Sequence, residues 1–392
     1  MVTHNRSSWI GLFAASIPIL VLRFKAKIIP LLRNILLLNL FIFVIIGALL
    51  FLYNLKPTSA LGRITIWRIS ANMVMDNPII GVGYGNFEGQ YGSYQAKYFA
   101  NNPHNSQVAE MADIVRYPYN IFLQILCEQG VIGLTLFLLL LLLIIHLAVN
   151  SVKHKNKFKL FLSLATFSSI ISICVCGQTS YPFDIIPVYI IFFISLSIFI
   201  GINVNNSSIV ILKAKATTVA ISSMIILGCY FLVLSNQKFS AYKRWRYLSF
   251  NSMDSYAISN IYPILQGDID FLHFYSKALL KDGEYLKGIA IMENSKKLLA
   301  YPELHLTLAQ LYDGAGQYKN AESSFKTACN MVPNRFHSKY LKAKFYYHNK
   351  QFIKAAETAK QILNMKVKIP SKTIDKIKAD TEILLLQSQK QL

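Results

Sequence analysis

Between Trp9 and Ser235 the chain is written largely in apolar runs, and their lengths decide what it can fold into. The hydrocarbon core of a bilayer is about 30 Å thick, which a helix crosses in roughly 20 residues. Asn34–Asn54, Ile121–Val149 (most clearly from Val131), Leu160–Cys176, Ile185–Val204 and Ala216–Ser235 approach or exceed that length. Trp9–Leu22 is shorter and reads as a span whose N-terminal end includes polar residues. Its basic neighbours follow it, whereas a cleavable signal peptide carries them in front. Lipid offers no hydrogen bonds, so a spanning segment must satisfy its own backbone, and an isolated apolar run does so only as a helix. The predicted fold class is therefore all-α, a polytopic membrane domain of six spans followed by something soluble.

Charge sets the orientation. Arg23, Lys25, Lys27 and Arg33 occupy one short loop, Lys153, Lys155, Lys157 and Lys159 another, and Lys213 and Lys215 a third. With alternating spans these three loops share a side, which the positive-inside rule makes cytoplasmic. The long loop from residue 55 to 120, the short loop Gly177–Asp184 and the C-terminal region then face outward, which in a bacterial inner membrane is the periplasm. Net charge is +21, and the part before residue 236 (16 Lys+Arg, 6 Asp+Glu) and the part after it (24 and 13) share it almost evenly. The C-terminal excess is spread over helical faces, and no basic-aromatic motif for nucleic acid is found. The five cysteines lack the spacing of a zinc site or a disulfide framework.

Beyond residue 235 the pattern changes from runs to repeats. Tyr285, Tyr318 and Phe352 are 33 and 34 residues apart, each preceded by a turn (KDGEY, GAGQY, HNKQF) and followed three residues on by Gly288, Ala321 or Ala355. That is the period of tetratricopeptide repeats, pairs of helices with small residues where they touch. The predicted layout is a membrane domain over 1–235, a helical linker over 236–265 and repeats over 266–392, with Ile374–Leu392 as a capping helix.

The long outward loop holds most of the candidate chemistry. Leu61–Met75 carries apolar residues at helical spacing, reads as an interfacial helix with Trp67 at headgroup level, and is stopped by Asp76-Asn77-Pro78. Gly81, Gly83 and Gly85 follow as a turn. They do not make a dinucleotide fingerprint, because the third glycine spacing and the strand-turn-helix context are missing.

The order of GRxxxW (Gly62 to Trp67), DNPIIGVGYGNF (Asp76 to Phe87) and NxFLQxxxExGxxG (Asn120 to Gly133) resembles the O-antigen ligase/polymerase superfamily over roughly residues 1–235. That superfamily embraces lipopolysaccharide O-antigen ligases, O-antigen polymerases and protein O-oligosaccharyltransferases. The resemblance implies transfer of a glycan from a polyprenyl-diphosphate carrier to an acceptor hydroxyl on lipid A-core, glycan or protein, with no cofactor. It implies that arginines hold the diphosphate, matched here by Arg63 and by Arg6. A histidine before Asn120 would act on the acceptor in the ligase branch, but Tyr119 stands there, leaving His104 or Glu128 as candidate bases, with Asn120 of the motif as a further catalytic candidate. Gly130 and Gly133 complete the motif. The chain also has fewer spans than the superfamily usually shows, so it is expected to be N-terminally incomplete. The rival reading is a non-enzymatic, membrane-anchored scaffold whose repeats recruit a protein partner in surface-glycan assembly.

Overall fold

The computed structural model describes residues 8–17, 57–102, 106–151, 155–204, 214–251, 253–295 and 301–392. The expected span Asn34–Asn54, Arg6 and His104 lie outside the described residues. Among the described residues the architecture is helical throughout, with no strand. The chain divides into two compact units, one made of 1–87 with 115–211, the other of 88–114 with 212–392.

The first unit contains α1 (Ser8–Ile17) and α2 (Pro57–Asp76). The second unit's part of the long loop supplies α3 (Phe87–Asn101, whose first residue belongs to the first unit) and α4 (Ser106–Met111). The first unit resumes with α5 (Ile121–Ser151), α6 (Lys157–Cys176), a 3-10 turn at Pro182–Asp184 and α7 (Ile186–Asn203). α5, α6 and α7 are long and apolar enough to cross a membrane. Their mutual core is thin: Ile144 and Ala148, Ile170 and Cys174, and Phe192, Leu196 and Phe199. Leu136, Leu139, Leu142 and Phe161 remain exposed on the same helices, as lipid-facing side chains would be. Polar pairs join α6 to α7. Asn203 Nδ2 donates to Ser163 Oγ at 2.8 Å, and Ser195 Oγ donates to Ser169 Oγ at 3.2 Å. Small hydroxyls at a helix contact both allow close approach and bond across it.

The second unit starts its C-terminal part with α8 (Ala214–Asn251). Its segment Ile221–Asn251 is also apolar enough to be a span, but the helix does not stop at Ser235; it continues unbroken to Asn251. Short α9 (Ser255–Ser259) and α10 (Tyr262–Leu265) follow. Then come three helical hairpins: α11 (Ile269–Lys281) with α12 (Tyr285–Asn294), α13 (Pro302–Gly314) with α14 (Tyr318–Met331), and α15 (Phe336–His348) with α16 (Phe352–Leu363). α17 (Lys372–Lys390) packs on the last hairpin, with Ser371 Oγ capping it by accepting from Ile374 N.

The three repeated aromatics each open the second helix of a hairpin. The turn before each is built identically. Glu284, Gln317 and Gln351 donate from their backbone N–H to the carbonyls of Leu279, Tyr312 and Tyr346 at 2.8–2.9 Å, the closing bond of a Schellman cap. The cap needs a left-handed residue just before, supplied by Gly283 (φ 76°), Gly316 (φ 73°) and Lys350 (φ 57°). The small residues sit where helices meet: Ala321 and Ala355 are fully buried, and a Cβ on Gly288 would stand 2.7 Å from Leu311.

The 88–114 segment belongs with these hairpins. Gln95 Nε2 donates to the Met331 and Asp113 carbonyls, the Tyr301 hydroxyl donates to Glu88, and Ala96 packs with Ile114, Met331 and Val332.

Candidate functional site

The site region is assembled from α2, the glycine turn after it, the start of α5 and the short loop 177–184. α2 ends at Asp76, the first residue of the predicted Asp76-Asn77-Pro78 stop, and buries Ile69, Ser70 and Met73. It packs on α5, where Cys127 Sγ lies 3.6 Å from the Ser70 carbonyl it donates to. The Trp67 indole N–H, expected at headgroup level, donates to the Pro118 carbonyl at 2.9 Å and ties α2 to the end of the long loop.

The glycine turn is locked to α5 by backbone alone. α5 is broken at Gly130, whose φ of 65° and ψ of −164° are open essentially to glycine only. In an unbroken helix Val131 and Ile132 would donate to the carbonyls of Cys127 and Glu128. Here those two carbonyls accept from Val82 N (2.9 Å) and Gly83 N (2.8 Å). In return Val131 N and Ile132 N donate to the carbonyls of Pro78 (2.9 Å) and Ile79 (3.3 Å). Two helical bonds are thus exchanged for four bonds between segments, so the two carbonyls and two N–H groups freed by the break are all paired. The approach is too close for side chains. A Cβ on Gly81 would strike the backbone of Cys127–Gln129, and one on Gly130 would strike the Ile79 carbonyl. Gly83 (φ 99°) and Gly85 (φ 74°) supply the left-handed turns between. Gly133 lies inside the resumed helix, where a Cβ would meet the Gln129 side chain.

Glu128 and Asn120 both bond to helix starts. Glu128 is buried, and its carboxylate accepts from the N–H of Phe87, the first residue of α3, at 3.3 Å, with the Gly85 N–H beside it. Asn120 Oδ1 accepts from Leu123 N at 3.1 Å and so caps α5.

Just before that cap lies the aromatic-cationic cluster. The Arg63 guanidinium stands over the Tyr119 ring at 5.5 Å. Tyr119 meets Tyr181 edge-on at 5.8 Å, and Tyr117 stacks on Tyr181 at 4.5 Å. Tyr119 has φ 54°, the left-handed region that most side chains avoid and that Asn, Asp and His occupy more readily. The short loop is fastened to this corner: Ile121 N donates to the Gly177 carbonyl at 2.8 Å, and Gln124 Nε2 reaches Asp184 at 3.4 Å. Tyr84, on the glycine turn, is largely exposed, and its phenol is protonated at neutral pH and offers no base there.

These residues fall into two groups: Arg63, Trp67 and Asn120, joined by Tyr117, Tyr119 and Tyr181, at the start of α5, and Gly81, Gly83, Gly85, Glu128 and Gly130 at its break. The usable signal for Tyr181 was the short Gly177–Asp184 loop, which has no Lys or Arg and was expected on the same side as the long one. Among the described residues no three His, Cys, Asp or Glu side chains converge in a way that could hold a metal ion.

Comparison with known proteins points the same way. Residues 1–138 match the family described as O-antigen ligase. That stretch contains every residue of the cluster except those of the short loop. A Rickettsia felis protein provisionally named a polysaccharide ligase is 29% identical over 134 residues, which is 33% of this chain and 29% of that protein. A Rickettsia typhi protein of the same provisional name is 28% identical over 126 residues, 32% of this chain and 28% of its own length. The matched stretch thus spans under a third of each relative. Among the described residues this chain has four helices long and apolar enough to cross a membrane.

Proposed function

We propose that this chain belongs to the machinery that transfers a glycan from a polyprenyl-diphosphate carrier to an acceptor hydroxyl at the outer face of the inner membrane. The observation that carries this is the Arg63–Tyr119 stack beside the capped start of α5, inside the stretch that matches O-antigen ligase. Stacking employs the face of a guanidinium, whereas phosphate oxygens are gripped in its plane, in a bidentate fork. Arg63 holds the diphosphate in this reading, with Arg6 as second cation.

Asn120 and Glu128 shape the site by capping α5 and α3, and His104 is the remaining candidate base. Tyr119 occupies the place where the ligase branch carries histidine. Its left-handed backbone is one that histidine tolerates better, which supports reading the position as equivalent even though the side chain differs. The outward orientation rests on the basic loops.

We also read the three hairpins as tetratricopeptide-type repeats that take a protein partner, on the strength of the 33- and 34-residue period and the identical caps. The scaffold alternative draws on the same hairpins and on Tyr119.

The test is glycan transfer from a polyprenyl-diphosphate oligosaccharide by membranes holding the full protein. Arg63→Ala lowers the rate on the order of 10²-fold, the scale for losing one charge-stabilising donor. Arg63→Lys restores part of it. Unchanged transfer in Arg63→Ala removes the diphosphate assignment. No transfer by the unaltered protein leaves the scaffold reading in its place.

A further inference from the structure

We propose that the groove between the C-terminal end of α8 and the α9–α10 segment binds the phosphate headgroup of an anionic membrane lipid. The groove has a volume of about 410 Å³, and its lining includes Lys243, Arg244, Tyr247, Leu248, Asn260 and Ile261. Its position follows from helix length. A helix of 38 residues is about 57 Å long, against ~30 Å of hydrocarbon. The apolar run closes near Ser235, and Lys243 and Arg244 come about 12–14 Å further along the axis, past a headgroup layer of about 5–8 Å; helix side chains lean toward the N-terminus, which brings their long stems back toward the lipid phosphates.

Which way these cations point is set by what the rest of the helix does. Ala241, Trp245 and Leu248 pack into the hairpin core, so that face is taken. Lys243, Arg244 and Tyr247 share the adjoining face and are exposed. The Lys243 ammonium is steadied 4.6 Å above the Phe239 ring. The nearby carboxylates are engaged elsewhere: Asp268 accepts from the Tyr242 hydroxyl (2.6 Å), Asp254 from Tyr256 N (2.9 Å) and Asp282 from Ser255 N (3.2 Å). The groove's own lining carries two cations and no acid.

Exposed aromatics complete the picture. Tyr247 on the groove, and Phe250 and Tyr256 on the same and the next helix, are largely uncovered. Amphipathic rings collect at the headgroup level of membranes. Clustered Lys and Arg immediately outside a span attract anionic lipid by about 1 kcal/mol per charge. The occupant that fits both the rings and the charges is a lipid headgroup, not a free anion, because only the lipid is delivered at this height.

The experiment uses the full chain purified in detergent, with native mass spectrometry counting retained phosphatidylglycerol against phosphatidylcholine. The variants are Lys243→Gln with Arg244→Gln, and Arg246→Gln, an exposed cation of the same helix that does not line the groove. Phosphatidylglycerol is expected to be retained preferentially. The double variant should weaken its binding roughly tenfold or more, while Arg246→Gln leaves it unchanged. An equal loss in Arg246→Gln, no loss in the double variant, or displacement of the lipid by millimolar inorganic phosphate each overturns the proposal. The readout does not depend on glycan transfer, so it stands apart from the test of Arg63.

Discussion

Glycine serves two different needs in the two units. In the site region Gly81 and Gly130 are required because backbone lies where a Cβ would go. In the hairpins Gly283 and Gly316 have nothing within 4 Å of an added Cβ; only their left-handed φ matters. The third hairpin shows the difference directly, since Lys350 holds the same conformation at the same place and the cap still forms. A conformational preference can be overridden by one residue's strain. A backbone-to-backbone contact cannot, because no side chain can be moved to make room.

The largest effect should therefore come from Gly130→Ala. It adds a methyl on the Ile79 carbonyl and forces alanine into a glycine-only region, so the four-bond lock opens at a cost above about 3 kcal/mol. Hydrogen exchange would show Val82, Gly83, Val131 and Ile132 losing protection together while the hairpin amides keep theirs. Protection that survives at these four amides would break the comparison. Gly288→Val comes next. It crowds the Leu311 side chain, which can yield, so about 1–3 kcal/mol is expected as a lowered melting temperature of the chain in detergent. Smallest is Lys350→Gly, which relieves a left-handed lysine but loosens the unfolded chain; a net gain of up to ~1 kcal/mol is expected in the same melt. A loss there would mean that the lysine side chain itself holds the turn.

Much of this molecule could be read before its structure was known, for stated reasons. Spans announce themselves by length, and α5, α6, α7 and the apolar part of α8 fall where the runs do. The hairpins announce themselves by period, and Tyr285, Tyr318 and Phe352 each begin a helix as expected. Pro78 marked the end of α2. What stayed hidden shares one property: it depends on backbone geometry or on partners distant in sequence. The run LCEQGVIGLTLF reads as uninterrupted helix, and nothing in its side chains signals that carbonyls 127 and 128 turn to another segment. The Tyr117–Tyr181 stack joins residues that two spans separate in sequence. Gln95 and Ala96 looked like ordinary loop-helix residues, yet they pack 236 positions away against Met331. The capping roles of Asn120 and Glu128 were likewise obscured, because a polar residue at a span's end fits a chemical role as readily as a structural one.

The unbroken course of α8 has a consequence of a different kind. A helix turns about 100° for each residue, so a continuous one fixes the angular phase between any two of its parts. The face carrying Ala241, Trp245 and Leu248, which seats the hairpin core, is thereby clocked to the apolar segment below it by residue count alone. One alanine inserted between Asn236 and Phe239 would swing that face through about 100° relative to the apolar segment, and four would nearly restore it. The spacing between the two parts of α8 is thus a dial setting, and its value is written in a stretch whose side chains touch very little.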